Sequence, residues 1–426
     1  MREIVLIVAI LAALGMTFRY PFVGILLWTW FTLQNPHREA FGFPDSANVV
    51  IAAVTLMSLL LSKDRKLPPN GFILWTMIAL LAWMTFNSFF AYDPAWSWPY
   101  WDRTWKTFAL GILIAAATTN RVRLHALLWI AVVSLFYFGV KGGLFTILTG
   151  GHNHVLGPPG TMITDNNQLA VALLMTLPFA HYLRSQSTDK RVRLALMAGM
   201  VLTVLGVIGT YSRGALVGLA ALGLVGLLRM KNRFLYLAVG AVLVVFVFQF
   251  MPDKYFDRMN TMNSVDAVQT DQSFHGRLVA WEVAYRYAND HFPFGAGFYG
   301  PQLAPVFHSY FPREKNHAAH SIYFQVLGEH GYIGLAIYLM LLAGAFVSCS
   351  RILARTRGQP ERRWIYEIGT AIQASLVVFC VSGAALSLAY YDLFVIDVSL
   401  LLPLWEIAKG VSKRQAWRPV PVAVSG

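Results

Sequence analysis

Long apolar stretches recur along the chain and are separated by short polar segments that hold most of the charged residues. A run of roughly 17–25 apolar residues is long enough to cross a bilayer as a helix. The first 34 residues are predicted to form one such span, or two short ones broken near Pro21. Further spans are predicted at residues 47–62, 72–91, 104–119, 124–148, 167–183, 194–211, 214–228, 234–250, 321–348, 365–390 and 393–408. The pattern indicates an all-α polytopic membrane protein with about twelve transmembrane helices.

The composition agrees with a membrane environment. Hydrophobic residues occupy 57% of the 426 positions, whereas charged residues occupy only 13%. A water-soluble domain has too much surface for its volume to bury so large an apolar fraction. Both cysteines lie in apolar stretches, so we expect no disulfide framework.

Positive charge is concentrated in alternate loops, which we call the basic loops: residues 63–66, 121–123, 184–193, 229–233, 351–363 and 409–418. Because Lys and Arg concentrate on the cytoplasmic side, these loops are predicted to lie inside. The net charge of +13 then reports topology, together with contacts to membrane lipids, and we expect no nucleic-acid partner. The outer loops, predicted to face the periplasm, are 35–46, 92–103, 149–166 and 251–320 and the turns at Ser212 and Tyr391.

One outer loop, 251–320, is long enough to carry structure of its own. Within it, residues 275–290 mix apolar and charged positions as an amphipathic helix does, and the proline and glycines of 292–297 end that helix. Such a helix is suited to lie on the membrane surface and roof a cavity. The chain is therefore divided into transmembrane helices (1–250), a periplasmic loop with active-site helices (251–320), further transmembrane helices (321–410) and a cytoplasmic tail (411–426).

Two arginines at the predicted outer face are candidates for anion binding. Arg213 lies between two apolar spans, and Arg277 lies on the amphipathic helix. Ionisable groups at membrane depth are costly and are functional candidates for that reason. A guanidinium presents a fixed fork of donors that matches phosphate oxygens, so the pair is suited to hold a diphosphate. The alternatives are an arginine extended to the lipid headgroups at Arg213 and an exposed helix face at Arg277.

A histidine motif, Asn316-His317-Ala318-Ala319-His320-Ser321, stands where the outer loop re-enters the membrane. Histidine suits general-base catalysis near neutral pH. No third ligand has suitable spacing near His317 and His320, so we expect no metal. The chain also has no Walker loop, no Asp-x-Asp motif and no Gly-x-Gly-x-x-Gly opening a helix, and we expect no cofactor.

Three motifs together resemble those of the O-antigen ligase family. His320-Ser321, followed after nine residues by Gly331-Tyr332-Ile333-Gly334, resembles the signature His-[Asn/Ser/Gln]-x9-Gly-x-x-Gly. The turn that ends in Ser212-Arg213-Gly214 and the helix motif His275-Gly276-Arg277-x-x-x-Trp281 resemble the other two landmarks, in the family's order. The stretches 35–43 and 157–167 further resemble a branch of O-glycosylation ligases associated with exosortase systems.

The resemblance implies a multi-pass protein of the bacterial inner membrane with its active site facing the periplasm. The donor would be a glycan on undecaprenyl diphosphate, and the acceptor lipid A–core, another glycan or a protein. Arg213 and Arg277 would bind the diphosphate and stabilise the charge of the leaving group, while His320 takes a proton from the acceptor hydroxyl. The family is independent of metals and inverts the anomeric configuration.

Several polar residues at the outer face have a second interpretation. Asp165 and Asn166 are candidates to contact sugar hydroxyls, but their types also favour a helix N-cap. Asp392 is a candidate to orient His320 or an arginine, or else an interfacial turn residue. Glu329 lies about 13 Å into a span at 1.5 Å per residue, so it needs a partner such as the adjacent His330 or an arginine.

Other functions would use the same residues. A polysaccharide polymerase or a protein O-glycosylation ligase would take the same donor. A transporter of the lipid-linked glycan belongs to a different class and predicts charged residues along a path across the membrane. The polar candidates gather instead at one face, which favours an enzyme.

Overall fold

The computed structural model of the chain describes residues 2–39, 47–62, 66–229 and 272–410. All regular structure in these ranges is helical, which confirms the all-α prediction. The helices before the long gap are α1 (Arg2–Arg19), α2 (Pro21–Gln34), α3 (Pro36–Glu39), α4 (Ala47–Leu61), α5 (Phe72–Ser88), α6 (Pro94–Ala117), α7 (Arg121–Leu148), α8 (Asn166–Gln186), α9 (Lys190–Gly209) and α10 (Arg213–Arg229). Those after it are α11 (Gln272–Asp290), α12 (Ala304–Tyr310), α13 (Ile322–Thr356), α14 (Arg363–Gly383) and α15 (Asp392–Gly410). The predicted span 234–250, the segment 251–271 and the tail 411–426 lie outside the described residues.

The described helices have the length and surface of a membrane protein. Four of them are long and apolar enough to cross a bilayer: α7, α9, α13, and α14 with the short turn before it. Large apolar side chains face outward on these and the shorter helices, with Val133 54%, Val201 51% and Val217 53% exposed. Exposed apolar surface on this scale marks an interaction surface, here one that faces lipid. The count of about twelve spans remains a prediction.

The N-terminal segment forms two helices rather than one. α1 ends at Arg19 and α2 begins at Pro21, with Tyr20 between them in a non-helical conformation. Proline has no backbone N–H and its ring collides with the preceding turn, so a continuous helix through this position would be costly. Of the two arrangements left open by the sequence, the break near Pro21 is the one observed.

α6 begins ten residues before the span predicted from hydropathy. Residues 94–103 were expected in an outer loop, but they form the first turns of this helix. The start is set by Asp93, whose side chain accepts a hydrogen bond from the N–H of Ala95 at 2.9 Å, and by Pro94 in the first helical position. Both are strong helix-start signals. Hydropathy alone missed them because this first part of the helix is polar and aromatic rather than aliphatic.

α14 ends earlier than predicted. The span expected over 365–390 stops at Gly383, and the following residues form a turn before α15. Gly383 lies so close to the start of α13 that an added Cβ would come within 2.8 Å of the Ile322 side chain. The turn places Tyr390 and Asp392 at the same end of the bundle as the start of α13.

α8 forms the centre of the bundle. Residues 169–175 are at most 1% exposed, so this part of the helix is buried on all sides. An α-helix that is hydrophobic all round is typical of such a central position. Its N-terminal end, which begins with Asp165 and Asn166, is therefore held at the middle of one end of the molecule.

The basic loops meet one another at one end of the bundle. The Arg121 guanidinium donates to Gln186 at 2.7 Å and lies 5.0 Å above the centre of the Trp364 ring. At the same end, Arg355 donates to the carbonyl of Ala408 at 3.2 Å.

The outer loops meet at the opposite end. Tyr92 donates its N–H to the carbonyl of Ala296 at 3.0 Å, and Val155 donates to that of Gly209 at 2.9 Å. Since α7 begins in the basic set and ends in the outer set, the two sets lie at opposite ends of the same helices. We call the end at which the outer loops meet the outer end.

Candidate active site

The amphipathic helix predicted over 275–290 is present as α11. Its Trp281 donates the indole N–H to the carbonyl of Ala319 at 2.5 Å and stacks on Phe324 with ring centres 4.9 Å apart. Arg277 lies one turn before Trp281 on the same helix and is half-buried. The helix is therefore fixed directly to the histidine motif at residues 316–321.

His320 has an unusual backbone conformation. Its φ is +43°, a positive value that only a few per cent of non-glycine residues adopt, with asparagine, aspartate and histidine the most frequent among them. Such conformations cost on the order of 1–3 kcal/mol and are concentrated at functional sites. The residue is half-buried, and α13 begins two positions later at Ile322. The fold thus places His320 at the outer end, directly before α13.

The electrostatic environment keeps His320 in its neutral form. Burial lowers the pKa of His320 below its usual value, and the Arg277 guanidinium lowers it further. The Asp165 carboxylate raises the pKa and His317 lowers it, both more weakly. These three groups therefore lie close enough to act on one imidazole. A neutral imidazole at neutral pH is the form that accepts a proton.

Arg213 is the first residue of α10 and is half-buried. The turn before it contains Tyr211 with a φ of +57°, and Ser212 accepts the N–H of Ala215 at 3.1 Å, which caps the helix. Asn166 donates its side-chain N–H to the carbonyl of Thr210 in this turn at 2.7 Å. The start of α8 thus contacts the Arg213 turn through Asn166. Through the charge of Asp165 it also influences the pKa of His320.

Asp165 and Asn166 have structural roles. Asp165 caps α8 by accepting the N–H of Asn167 at 2.9 Å and its side-chain amide at 2.8 Å. This is the N-cap interpretation, while Asn166 is buried against Thr210. Contact of either residue with a sugar remains a prediction.

Asp392 faces an arginine, which was one of the two partners expected for it, and not His320. It is 4% exposed, accepts a hydrogen bond from the Thr107 hydroxyl at 2.6 Å, and is attracted by the Arg103 guanidinium. The charged groups that act on His320 do not include it. This arginine is neither Arg213 nor Arg277. It is Arg103 because α15 begins next to α6, which carries that residue.

Glu329 has partners that the sequence did not identify. Its carboxylate accepts hydrogen bonds from the Tyr390 hydroxyl at 2.8 Å, the Tyr299 N–H at 3.2 Å and the Gln325 amide at 3.5 Å. Neither His330 nor an arginine is among them. Tyr299 and Tyr390 are distant in sequence, so no local pattern could have indicated the pairing.

The Gly-x-x-Gly part of the signature forms a kink in α13. Gly331 has a φ of +69°, and an added Cβ would lie 2.2 Å from the carbonyl oxygen of Pro293. The carbonyls of Gly328 and Glu329 accept the N–H groups of Ala296 and Gly297 at 2.8 and 2.9 Å. Glycine is required because the segment around 293–297 packs backbone against backbone on the kink.

No three His, Cys, Asp or Glu side chains are grouped as metal ligands within the described ranges. His317 packs instead against Gly276, where an added Cβ would lie 2.9 Å from the imidazole. Independence of metals remains an expectation of the proposed chemistry.

These features describe a helical membrane protein in which His320 lies near Arg277 at one end of the bundle. A family model described as O-antigen ligase matches residues 198–339, a range that includes Arg213, Arg277 and the signature from His320 to Gly334. This match supports the assignment of the domain at residues 198–339 to the O-antigen ligase family. A second model, described as a family of unknown function (DUF5935), matches residues 1–188. No curated protein matches the chain.

The match supports a ligase- or polymerase-type role in glycosyl transfer, with a lipid-linked glycan donor and a glycan acceptor in the membrane. The exosortase-associated branch remains a prediction. The two stretches that suggested this branch, 35–43 and 157–167, lie next to each other. A Cβ added to Gly160 would be 3.3 Å from the guanidinium carbon of Arg38.

Proposed function

We propose that this protein is an O-antigen ligase-like glycosyltransferase that moves a glycan from undecaprenyl diphosphate to a lipid A–core acceptor. The reaction takes place at the periplasmic face of the inner membrane, which is the outer end of the bundle. The observation that carries the proposal is the Trp281–Ala319 hydrogen bond, which joins the helix of Arg277 to the loop of His320. The two residues are then close enough for the Arg277 charge to lower the pKa of His320.

His320 is the general base. The acceptor hydroxyl oxygen attacks the anomeric carbon of the donor, and its proton passes to the neutral imidazole. The bond between the anomeric carbon and the diphosphate oxygen breaks at the same time, and its electron pair leaves with undecaprenyl diphosphate. Attack opposite the leaving group inverts the anomeric configuration.

Arg277 and Arg213 bind the diphosphate. A guanidinium forms paired hydrogen bonds to phosphate oxygens, and fixed positive charge stabilises the negative charge that develops on the leaving group. Arg277 has a second effect, since its charge favours the neutral form of His320. One residue thereby holds the donor and keeps the base ready to accept a proton.

Transfer by the full chain in proteoliposomes tests this function. The assay contains an undecaprenyl-diphosphate-linked glycan and lipid A–core, without added metal. His320→Ala should reduce the rate by about a hundred- to ten-thousand-fold, which is the usual contribution of general acid–base catalysis. His152→Ala is the matched control, because His152 is an exposed histidine of an outer loop that contacts its own backbone at Thr149.

The alternatives give different outcomes. Lengthening of the lipid-linked chain would identify a polymerase, and transfer to a protein would identify an O-glycosylation ligase. Movement of the donor across the membrane that is unaffected by His320→Ala would indicate a transporter. Absence of transfer to lipid A–core with competent substrates would overturn the proposal as stated.

A further inference from the structure

A small cavity lies beneath α11, next to the histidine motif. Its lining includes Ala280 from α11, Gln302, His317 and Ala319 from the loop, and Gln325 and Glu329 from α13. Its volume is about 10 Å³. This is close to the roughly 10–15 Å³ that one water molecule needs, so the cavity suits one small polar group of a larger molecule.

Glu329 supplies the cavity with a carboxylate that has room for another donor. The residue is 3% exposed, and its Oε2 atom accepts the Tyr390 hydroxyl at 2.8 Å. Its Oε1 atom has longer contacts, to the Tyr299 N–H at 3.2 Å and the Gln325 amide at 3.5 Å. The second contact is at the limit of a hydrogen bond, and a carboxylate offers about four acceptor positions.

Gln325 is held in one orientation. Its side-chain oxygen accepts the N–H of Ala389 at 3.2 Å, so the amide NH2 group is directed toward Glu329. The cavity wall thus presents an acceptor and a donor side by side. A hydroxyl group donates one hydrogen bond and accepts others, and it matches this pair. A phosphate does not, because its oxygens at neutral pH are mainly acceptors and offer Glu329 no ready donor.

The position of the cavity connects it with the reaction. Ala319 directly precedes His320, and Ala280 lies three residues after Arg277, on the same side of α11. A sugar with one hydroxyl at the His320 imidazole carries further hydroxyls a few bonds away. The same sugar ring therefore reaches the cavity with one of these further hydroxyls.

We infer that Glu329 and Gln325 form a subsite for a hydroxyl of the acceptor sugar, beside the hydroxyl that reacts. The inference rests on the proposed function, because it takes the acceptor to be a glycan. The sugar ring lies at the mouth of the cavity, one of its hydroxyls enters the cavity, and the Glu329–Gln325 pair selects a group that both donates and accepts a hydrogen bond.

Binding of a glycan without any reaction tests the subsite. The probe is a dephosphorylated core oligosaccharide without lipid, titrated into the full chain in nanodiscs and followed by calorimetry. Glu329→Gln and Gln325→Ala should each raise the dissociation constant about tenfold or more, which corresponds to roughly 1.4 kcal/mol. Asp397→Asn is the control, because Asp397 is a fully buried carboxylate, bonded to Ser375, that does not line the cavity. It should bind the probe as the wild type does.

Two results would overturn the subsite: wild-type protein that does not bind the oligosaccharide, or Glu329 and Gln325 variants that bind it with wild-type affinity. Thermal unfolding of each variant shows that it is folded. Gln325→Ala leaves the carboxylate in place and decides the question if Glu329→Gln does not fold. In the transfer assay the subsite variants should raise the KM for the acceptor more than they lower kcat.

The subsite and the proposed function fail in different ways. Normal transfer by the wild type together with unchanged binding by the variants would overturn the subsite alone. Binding that depends on Glu329, without any transfer by the wild type, would overturn the ligase function and leave a glycan-binding site.

Discussion

Trp281 donates its indole N–H to the carbonyl of Ala319, the residue immediately before His320, at 2.5 Å. This bond joins a helix of the outer loop to the start of α13 across 38 positions of the chain. The same indole stacks on Phe324. The Trp281 side chain thus helps to fix the distance between the helix that carries Arg277 and the loop that carries His320.

Removal of this hydrogen bond should reduce transfer without unfolding the protein. Trp281→Phe keeps the stacking on Phe324 but loses the N–H donor. A typical hydrogen bond contributes about 1 kcal/mol, so we expect a decrease of about fivefold in kcat. The measurement is single-turnover transfer in proteoliposomes. The control Trp75→Phe also removes an indole N–H, which here contacts the exposed Asn70 side chain near the basic end. A wild-type rate for Trp281→Phe would contradict the positioning role.

The pH dependence of transfer should report the lowered pKa of His320. The base form is active, so the rate rises with pH through this pKa and is constant above it. Because burial and the Arg277 charge lower the pKa of His320, we expect the acid limb below pH 6.5, the pKa of an unperturbed histidine. The measurement is the pH profile of kcat/KM for the acceptor. An acid limb above that value would show that the environment does not favour the neutral form.

Asp165→Asn should move this acid limb to still lower pH. The Asp165 charge raises the pKa of His320, and its removal takes that contribution away. The cap of α8 is retained, because asparagine is as good an N-cap residue as aspartate. Asp189→Asn is the matched control, since Asp189 caps α9 by accepting the Arg191 N–H at 2.7 Å and lies in a basic loop. An acid limb that moves equally in both variants would contradict the assignment.

Gly331→Ala should destabilise the protein much more than Gly358→Ala. Both glycines have positive φ, +69° and +73°, so both substitutions carry about 1–2 kcal/mol of backbone strain. Only Gly331 has backbone close by, whereas no atom lies within 4 Å of a Cβ added to Gly358. Thermal unfolding in nanodiscs compares the two. Equal decreases in Tm would show that the close approach to Pro293 contributes nothing.

The architecture could be predicted from the sequence to the extent that it follows from hydropathy and charge. Apolar runs located the helices of the described part, and basic residues sorted their connections into two sets that lie at opposite ends. Helix boundaries were less accurate where the signal was local chemistry. The start of α6 depends on Asp93 and Pro94, which a hydropathy window does not register.

The site could be predicted only as far as individual motifs reach. Arg277 and His320 belong to motifs, and the structure brings them together. Tyr299 and Tyr390 contact Glu329, and Thr107 contacts Asp392, from positions far away in sequence. Tertiary contacts of this kind leave no pattern in a single chain. Asn87 was missed for the same reason, since it reads as one polar residue at the end of an apolar span.

Asn87 should prove necessary for the kink that carries the glycan site. It is fully buried, donates to the carbonyl of Glu329 at 2.8 Å and accepts the N–H of Gly295 at 3.0 Å. Asn87→Ala leaves the Gly295 N–H buried without this acceptor, which costs about 1–3 kcal/mol. We expect a lower Tm and, in the folded fraction, weaker binding of the oligosaccharide probe, because Glu329 loses a backbone anchor.

Ser134→Ala is the control for this last prediction. Ser134 is also fully buried, but its hydroxyl donates to the carbonyl of Ile130 in its own helix, at 2.6 Å, so its loss leaves no backbone group without a partner. Both variants remove a buried polar side chain, but only Asn87→Ala leaves a buried backbone N–H without its acceptor. Equal stability and equal binding in both would mean that the contact between the 293–297 segment and α13 does not depend on Asn87.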